Sequence, residues 1–158
     1  MMLYLLRHAE AESVALNDNA RRLTLKGEQQ ARRVGKFCRL HELAPPLILA
    51  SPVARARQTA QLVAEHLGEA ELIEAPWAEC GMDPAAALHE LRGYVRFPSV
   101  MLVGHQPDLG RLAAMLLGME SPDSLHLRKS LLAAIDCGEN PRAGLGVLEF
   151  FLPAKLMD

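Results

Sequence analysis

The sequence predicts an α/β fold, a three-layer α/β/α sandwich around a mainly parallel central sheet. Short apolar runs alternate with longer amphipathic stretches along the chain, the pattern of a layered sheet with crossover helices. Three of these runs, Leu3-Tyr4-Leu5-Leu6, Leu47-Ile48-Leu49-Ala50 and Val100-Met101-Leu102-Val103, are continuous, as strands buried on both faces are. Each hands over to a segment carrying Arg or His: Arg7-His8, Ser51-Pro52-Val53-Ala54-Arg55 and Gly104-His105-Gln106-Pro107.

The elements follow in order. Residues 2–6 read as the first strand. After a polar loop, Thr24 caps a helix expected to run to about Leu43, with Leu25, Ala31, Val34, Phe37 and Cys38 on its apolar face. Pro45-Pro46 stops it, and residues 47–50 form the second strand. Ser51 is expected as the cap of the next helix with Pro52 in its first turn, and Gly68 as its end. Residues 70–74 read as a short strand, and Asp83-Pro84 opens a helix over 84–93. Residues 99–103 form another strand, and Gln106-Pro107-Asp108 starts a helix ending near Gly118, with Asp108 suited to its N-terminal dipole. Residues 131–136 and 145–152 are expected as an antiparallel pair joined through the turn-rich stretch 138–144.

At 158 residues, with no repeat and no linker, the chain is expected to form a single domain over 1–158. Half the residues are hydrophobic and 23% are charged, an ordinary globular composition. The net charge of −2 and the lack of a long basic tract argue against nucleic acid as a partner. No apolar run approaches the length of a membrane span, and the first is too short for a signal peptide. Three cysteines, Cys38, Cys80 and Cys137, show no CxxC spacing, so a reduced, cytoplasmic protein with buried or inert thiols is expected, Cys80 among the buried ones, with no metal site.

The chemistry lies at the strand ends. In a wound α/β sheet the loops beyond the carboxyl ends converge on one crevice. That places Arg7, His8, Arg55 and His105 together, with two helix N-termini aimed at the same point, a natural site for a phosphoryl group. The sequence has no GxxxxGK[ST] loop and no evident carboxylate cluster for Mg²⁺, which favours covalent catalysis by histidine. There is no GxSxG elbow either. His41, His66, His89 and His126 lack such context and read as surface residues.

Four motifs in order carry a resemblance. They are Leu6-Arg7-His8-Ala9-Glu10; Arg21-Arg22-Leu23-Thr24 with Gly27; Ser51-Pro52 leading to Arg55, Gln58, Thr59 and Ala60; and Val103-Gly104-His105-Gln106-Pro107. Together they resemble the histidine phosphatase superfamily, which includes the cofactor-dependent phosphoglycerate mutases, and most of all its small SixA-type phosphohistidine phosphatases. The resemblance implies a phosphoglycerate mutase-like fold without a large inserted lid subdomain. It implies His8 as the phosphorylated nucleophile, Arg7, Arg55 and His105 as groups that bind and polarise the phosphoryl oxygens, and Arg21 as a further arginine able to reach the phosphate. No cofactor is implied.

Two departures bear on this. Many relatives have Gly at the position of Ala9, although the small branch often has alanine, which requires negative φ. The acidic proton donor of larger relatives has no evident counterpart; Glu79, Asp83, Glu10 and Glu12 are the candidates. A leaving imidazole relaxes that need. The expected activity is therefore a metal-independent phosphatase working through a phosphohistidine intermediate, acting on phosphohistidine of a protein of histidine-phosphotransfer or carrier type. The alternatives are a phosphatase for small phosphate esters and a non-catalytic phosphate-binding module; mutase and metal-dependent hydrolase activities are expected less.

Overall fold

The computed structural model describes residues 1–158, and its elements alternate as the sequence pattern requires. β1 (Met2–Arg7) leads to α1 (Leu25–Leu40), β2 (Leu47–Ala50) to α2 (Ala54–Leu67), and β3 (Glu71–Glu74) to α3 (Pro84–Leu91). β4 (Ser99–Gly104) is followed by α4 (Asp108–Leu117), and the chain closes with β5 (Leu132–Asp136) and β6 (Val147–Leu152). The six strands form one sheet in the order β3-β2-β4-β1-β5-β6. β3, β2, β4 and β1 are mutually parallel, while β5 runs antiparallel to both β1 and β6.

Strand periodicity divides the core into two layers. Leu3, Leu5, Leu47, Leu49, Val100 and Leu102 face α3 and α4, where Leu88, Leu91, Leu109, Leu112 and Leu116 meet them. Tyr4, Leu6, Ile48, Ala50, Met101 and Val103 face the other way, against Val34 and Cys38 of α1 and Ala56, Ala60 and Val63 of α2. This is the expected three-layer sandwich, with no large inserted subdomain. No helix is long and apolar enough to cross a membrane.

Local chemistry sets most boundaries. Thr24 caps α1, its hydroxyl accepting from Gly27 N at 3.0 Å. α1 ends at Leu40 rather than Leu43, because Glu42 takes positive φ (56°) and turns the chain away. Leu25 is 79% exposed and not part of the apolar face: at the first helical position it points away from the sheet, and Gly27, Ala31, Val34, Gly35 and Cys38 make the buried face. Asp83 caps α3 through Ala86 N at 2.8 Å. That helix tightens into a 3₁₀ turn at Arg92–Tyr94, so the expected span 84–93 covers two elements.

Ser51 does not cap α2. Val53 occupies the cap position, without a side-chain bond, and the helix starts at Ala54. The Ser51 hydroxyl has a different partner, described below.

Leu102 is fully buried in the middle of the sheet, paired with Leu5 on one side and Leu49 on the other. Leu102→Ala should cost about 2–5 kcal/mol in guanidinium unfolding, whereas Leu25→Ala should stay within about 0.5 kcal/mol. A large loss at Leu25 would contradict the helix face described here.

Candidate active site

β1, β4 and β2 are neighbours, and their carboxyl ends lie level: Arg7 pairs with Gly104, and Val103 with Ala50. The residues that follow are therefore delivered side by side. His8 N donates to Gly104 O at 3.0 Å, and Ser51 N donates to Val103 O at 3.0 Å. His8 is 6% exposed and His105 3% exposed, and their ring centroids lie 5.4 Å apart. Arg55, on the first turn of α2, is 3% exposed. The structure thus brings Arg7, half-buried, together with the buried His8, Arg55 and His105 in one cluster.

The two imidazoles are fixed differently. His8 Nδ1 lies 2.8 Å from the Ala9 carbonyl, an acceptor only, so the ring proton sits on Nδ1 and Nε2 keeps its lone pair. His105 Nε2 lies 2.8 Å from Ser51 Oγ, while its Nδ1 is buried without a partner. Ser51 Oγ already accepts from Val53 N at 3.4 Å. The hydroxyl keeps a second lone pair as well as its proton, so the contact holds the ring in place; when that proton is donated to Nε2, the ring proton of His105 sits on the unpartnered Nδ1.

Both rings are held neutral. Burial pushes the His8 pKa down to about 3, opposed by the Ala9 carbonyl and reinforced by His105, Arg55 and Arg7. Burial, with Arg55 and Arg7, pushes His105 down to about 4. The Arg7 pKa is lowered by burial and by Arg55. Arg7 Nε and Arg55 Nε are buried with no acceptor. With His105 Nδ1 they leave three buried polar atoms unpartnered in one cluster, a rare arrangement in a folded protein, and an anion would satisfy the two guanidinium donors.

The surroundings hold these groups in place. Arg7 Nη1 donates to Leu127 O at 2.9 Å. The segment carrying that carbonyl is gripped by Gln106, whose amide nitrogen donates to Leu125 O at 3.2 Å and whose oxygen accepts from Leu127 N at 3.3 Å. Thr59 Oγ1 accepts from Ala9 N at 3.0 Å and donates to Arg55 O at 2.7 Å, tying the exit of β1 to α2. Gln30 accepts from Glu10 N and Gln58 from Leu23 N, both at 2.9 Å. Gly27 is required because a Cβ there would run into the Glu10 carbonyl. Ala9 is absent from the positive-φ residues and fully buried with Ala11, Leu23 and Ala31, so alanine fits its position without backbone strain.

Arg21 reaches the cluster through a residue that the motifs did not single out. Asp18 accepts from Arg21 Nε at 3.0 Å and pairs with Arg55 Nη2 at 3.1 Å, while its carbonyl accepts from Arg55 Nη1 at 2.9 Å. Its carboxylate is held below the usual range, chiefly by Arg55, although its side chain is 64% exposed. The one sequence pattern that could point to Asp18 is its place three residues before Arg21, helical spacing in a polar loop. Ser130 was also missed. It is fully buried at φ 58°, its amide donates to the Arg7 and His8 carbonyls, and its hydroxyl is unpartnered.

The acidic candidates separate. Asp83 is engaged as a cap, and Glu10 is tied to Lys26 at 3.2 Å and to Thr24 at 3.1 Å. Glu12 is engaged through its backbone alone: its carbonyl accepts from Arg21 Nη1 at 3.2 Å and its amide donates to Arg22 O at 2.8 Å. Glu79 is exposed and adjoins Cys80, whose Sγ accepts from Arg55 Nη2 at 3.4 Å. Cys80 is exposed, not buried as the sequence led us to expect, because the 79–81 loop sits at the rim of the cluster, pinned by Gly81 N donating to Asp108 Oδ2 at 2.9 Å. Cys38 and Cys137 are buried. His41, His89 and His126 are exposed, and His66 is half-buried over Gly35.

Two imidazoles kept neutral make stability depend on pH. Above the ordinary value of 6.5 both folded and unfolded chains are neutral there, and nothing is lost. Below it the unfolded chain binds protons that the folded site refuses, so stability falls until pH reaches the folded values near 4 and 3. His8→Asn should remove about one proton from the slope of unfolding free energy against pH between about 6 and 4. An unchanged slope in denaturant titrations would mean that His8 is not held neutral.

Comparison with known proteins places this arrangement. Residues 3–96 match the family model of the histidine phosphatase superfamily (branch 1). The chain is 34% identical over 148 residues to an uncharacterized protein of Picosynechococcus sp., covering 87% of this chain and 86% of that one. It is 31% identical over 138 residues to the phosphohistidine phosphatase SixA homolog of Haemophilus influenzae, covering 80% and 83%. The solved structure of the protein histidine phosphatase SixA complexed with tungstate shares the fold over all of both chains, with a TM-score of 0.90 at 24% identity. With these motifs, this fold and this strand-end cluster, the chain belongs to branch 1 of the histidine phosphatase superfamily and groups with its SixA-type members.

Proposed function

We propose that this protein is a phosphohistidine phosphatase that works without a metal ion, with His8 as nucleophile and a phosphorylated protein as substrate. One observation carries the reading. His8 is neutral, its Nδ1–H is committed to the Ala9 carbonyl, and its Nε2 lone pair is free beside two unsatisfied guanidinium donors. The names of the relatives in Haemophilus influenzae and Escherichia coli, phosphohistidine phosphatases of the SixA type, support the substrate class.

The chemistry follows from the geometry. The His8 Nε2 lone pair attacks phosphorus, and the P–N bond of the substrate breaks with its electron pair going to the leaving nitrogen. An imidazole whose other nitrogen bears a proton departs neutral, so no strong acid need be supplied. Water then attacks the phosphoryl group on His8, orthophosphate leaves, and the electron pair returns to Nε2. In both steps charge spreads over the phosphoryl oxygens, where Arg7, Arg55 and the Nδ1–H of His105 stabilise it. Donors already buried and oriented pay little reorganisation as that charge develops. Asp18 keeps Arg55 and Arg21 aligned between turnovers, and Arg21 is the outer cation on the approach.

The test is phosphate release from a histidine-phosphorylated carrier protein in the presence of chelator. The parent should release phosphate and His8→Ala should not. Release by both, or by neither, would overturn the reading. Ser51→Ala should lower kcat roughly tenfold, the effect of losing one buried hydrogen bond to the ring that must donate. An unchanged kcat would remove His105 Nδ1–H from the mechanism.

A further inference from the structure

Beside the cluster a second cavity of about 500 Å³ opens, and Arg7 lines it. Its walls come from α1, from the segment before β5 and from the chain after β6. Five further cations line it, Lys26, Arg33, Arg128, Lys129 and Lys155, and no carboxylate does. Six of the chain's 17 Lys and Arg residues thus share one groove in a protein whose net charge is −2. Lys26 pairs with Glu10 at 3.2 Å, but Arg33, Arg128, Lys129 and Lys155 make no ion pair. Along α1, Arg32, Arg33 and Lys36 line a neighbouring hollow together with Asp158.

We infer that this groove docks an acidic protein surface flanking the phosphorylated histidine of the substrate, an inference that rests on the proposed activity. Like charges gathered with Glu10 as their one close counter-ion repel one another, and an anionic partner relieves that repulsion. The groove meets the nucleophile's neighbour, Arg7, so a carrier whose phosphoryl group lies on His8 has its adjoining surface over the groove. No Phe, Tyr or Trp lines it, so it lacks the stacking platform by which single-stranded nucleic acid is held. Nine of its eleven lining residues carry polar or charged side chains, which suits carboxylates. Contacts of this kind weaken as salt shortens the screening length.

The test uses peptides bearing one phosphohistidine, flanked on one side either by a run of glutamates or by a run of glutamines. At low salt the parent should favour the glutamate peptide by about tenfold in kcat/KM, and added salt should erase the preference. The Arg33→Glu/Lys129→Glu/Lys155→Glu variant, altered only at exposed positions, should lose the preference and keep its rate on the glutamine peptide. Equal rates by the parent, or a preference surviving in the variant, would overturn the inference. If the parent dephosphorylates neither peptide, the proposed activity fails instead. Docking is then read from fluorescence anisotropy of the unphosphorylated peptides: tighter binding of the glutamate peptide by the parent than by the variant upholds it, and equal binding overturns it. A single-stranded oligonucleotide bound more tightly than the glutamate peptide would also overturn it.

Discussion

The burial of positive charge at the ends of three adjacent strands is the constraint that the rest of this structure answers. Arg55 and both imidazoles are almost inaccessible, yet Arg7 Nε, Arg55 Nε and His105 Nδ1 have no protein partner. Such a cluster is costly unless it is rigidly framed. The frame comes from the parallel pairing that sets Arg7 level with Gly104 and Ala50 level with Val103. Neutral histidines lessen the charge, and Asp18 supplies a single carboxylate at the open side.

Much of the remaining chain serves this frame. Gln106 holds the segment that gives Arg7 its carbonyl, Thr59 clamps the exit of β1 to α2, and Ser51 holds the ring of His105. Gln30, Gln58 and Gly27 keep the 9–24 loop close against α1 and α2. The loop in turn places Asp18 and Arg21. Function and local stability are therefore coupled here: the motif residues that never touch a phosphoryl group fix those proposed to do so.

The sequence made the scaffold readable because strands buried on both faces are nearly pure apolar runs. Leu47–Ala50 is such a run, and the observed β2 has those ends. The cluster was readable because each of its members follows such a run within a few residues. Ser51 misled because a Ser-Pro pair has the same local signature whether the hydroxyl caps a helix or serves a histidine 54 positions away. Leu25 misled because the first turn of a helix need not face the sheet. Asp18, Cys80 and Ser130 gain their places from loop paths and, for Ser130, from a left-handed backbone that no residue pattern signals. The basic groove draws on three separate segments, so no contiguous charge run announces it.

The central claim is that Nε2 of His8 takes the phosphoryl group. Rapid acid-free quenching during turnover of a histidine-phosphorylated substrate, followed by mass spectrometry and ³¹P NMR of the protein, tests it most directly. The account predicts one transient phosphoryl group on His8 Nε2, stable to alkali, lost in acid and absent from His8→Ala. Turnover with no phosphorylated protein, or a phosphoryl group on Nδ1 or on another residue, would contradict it.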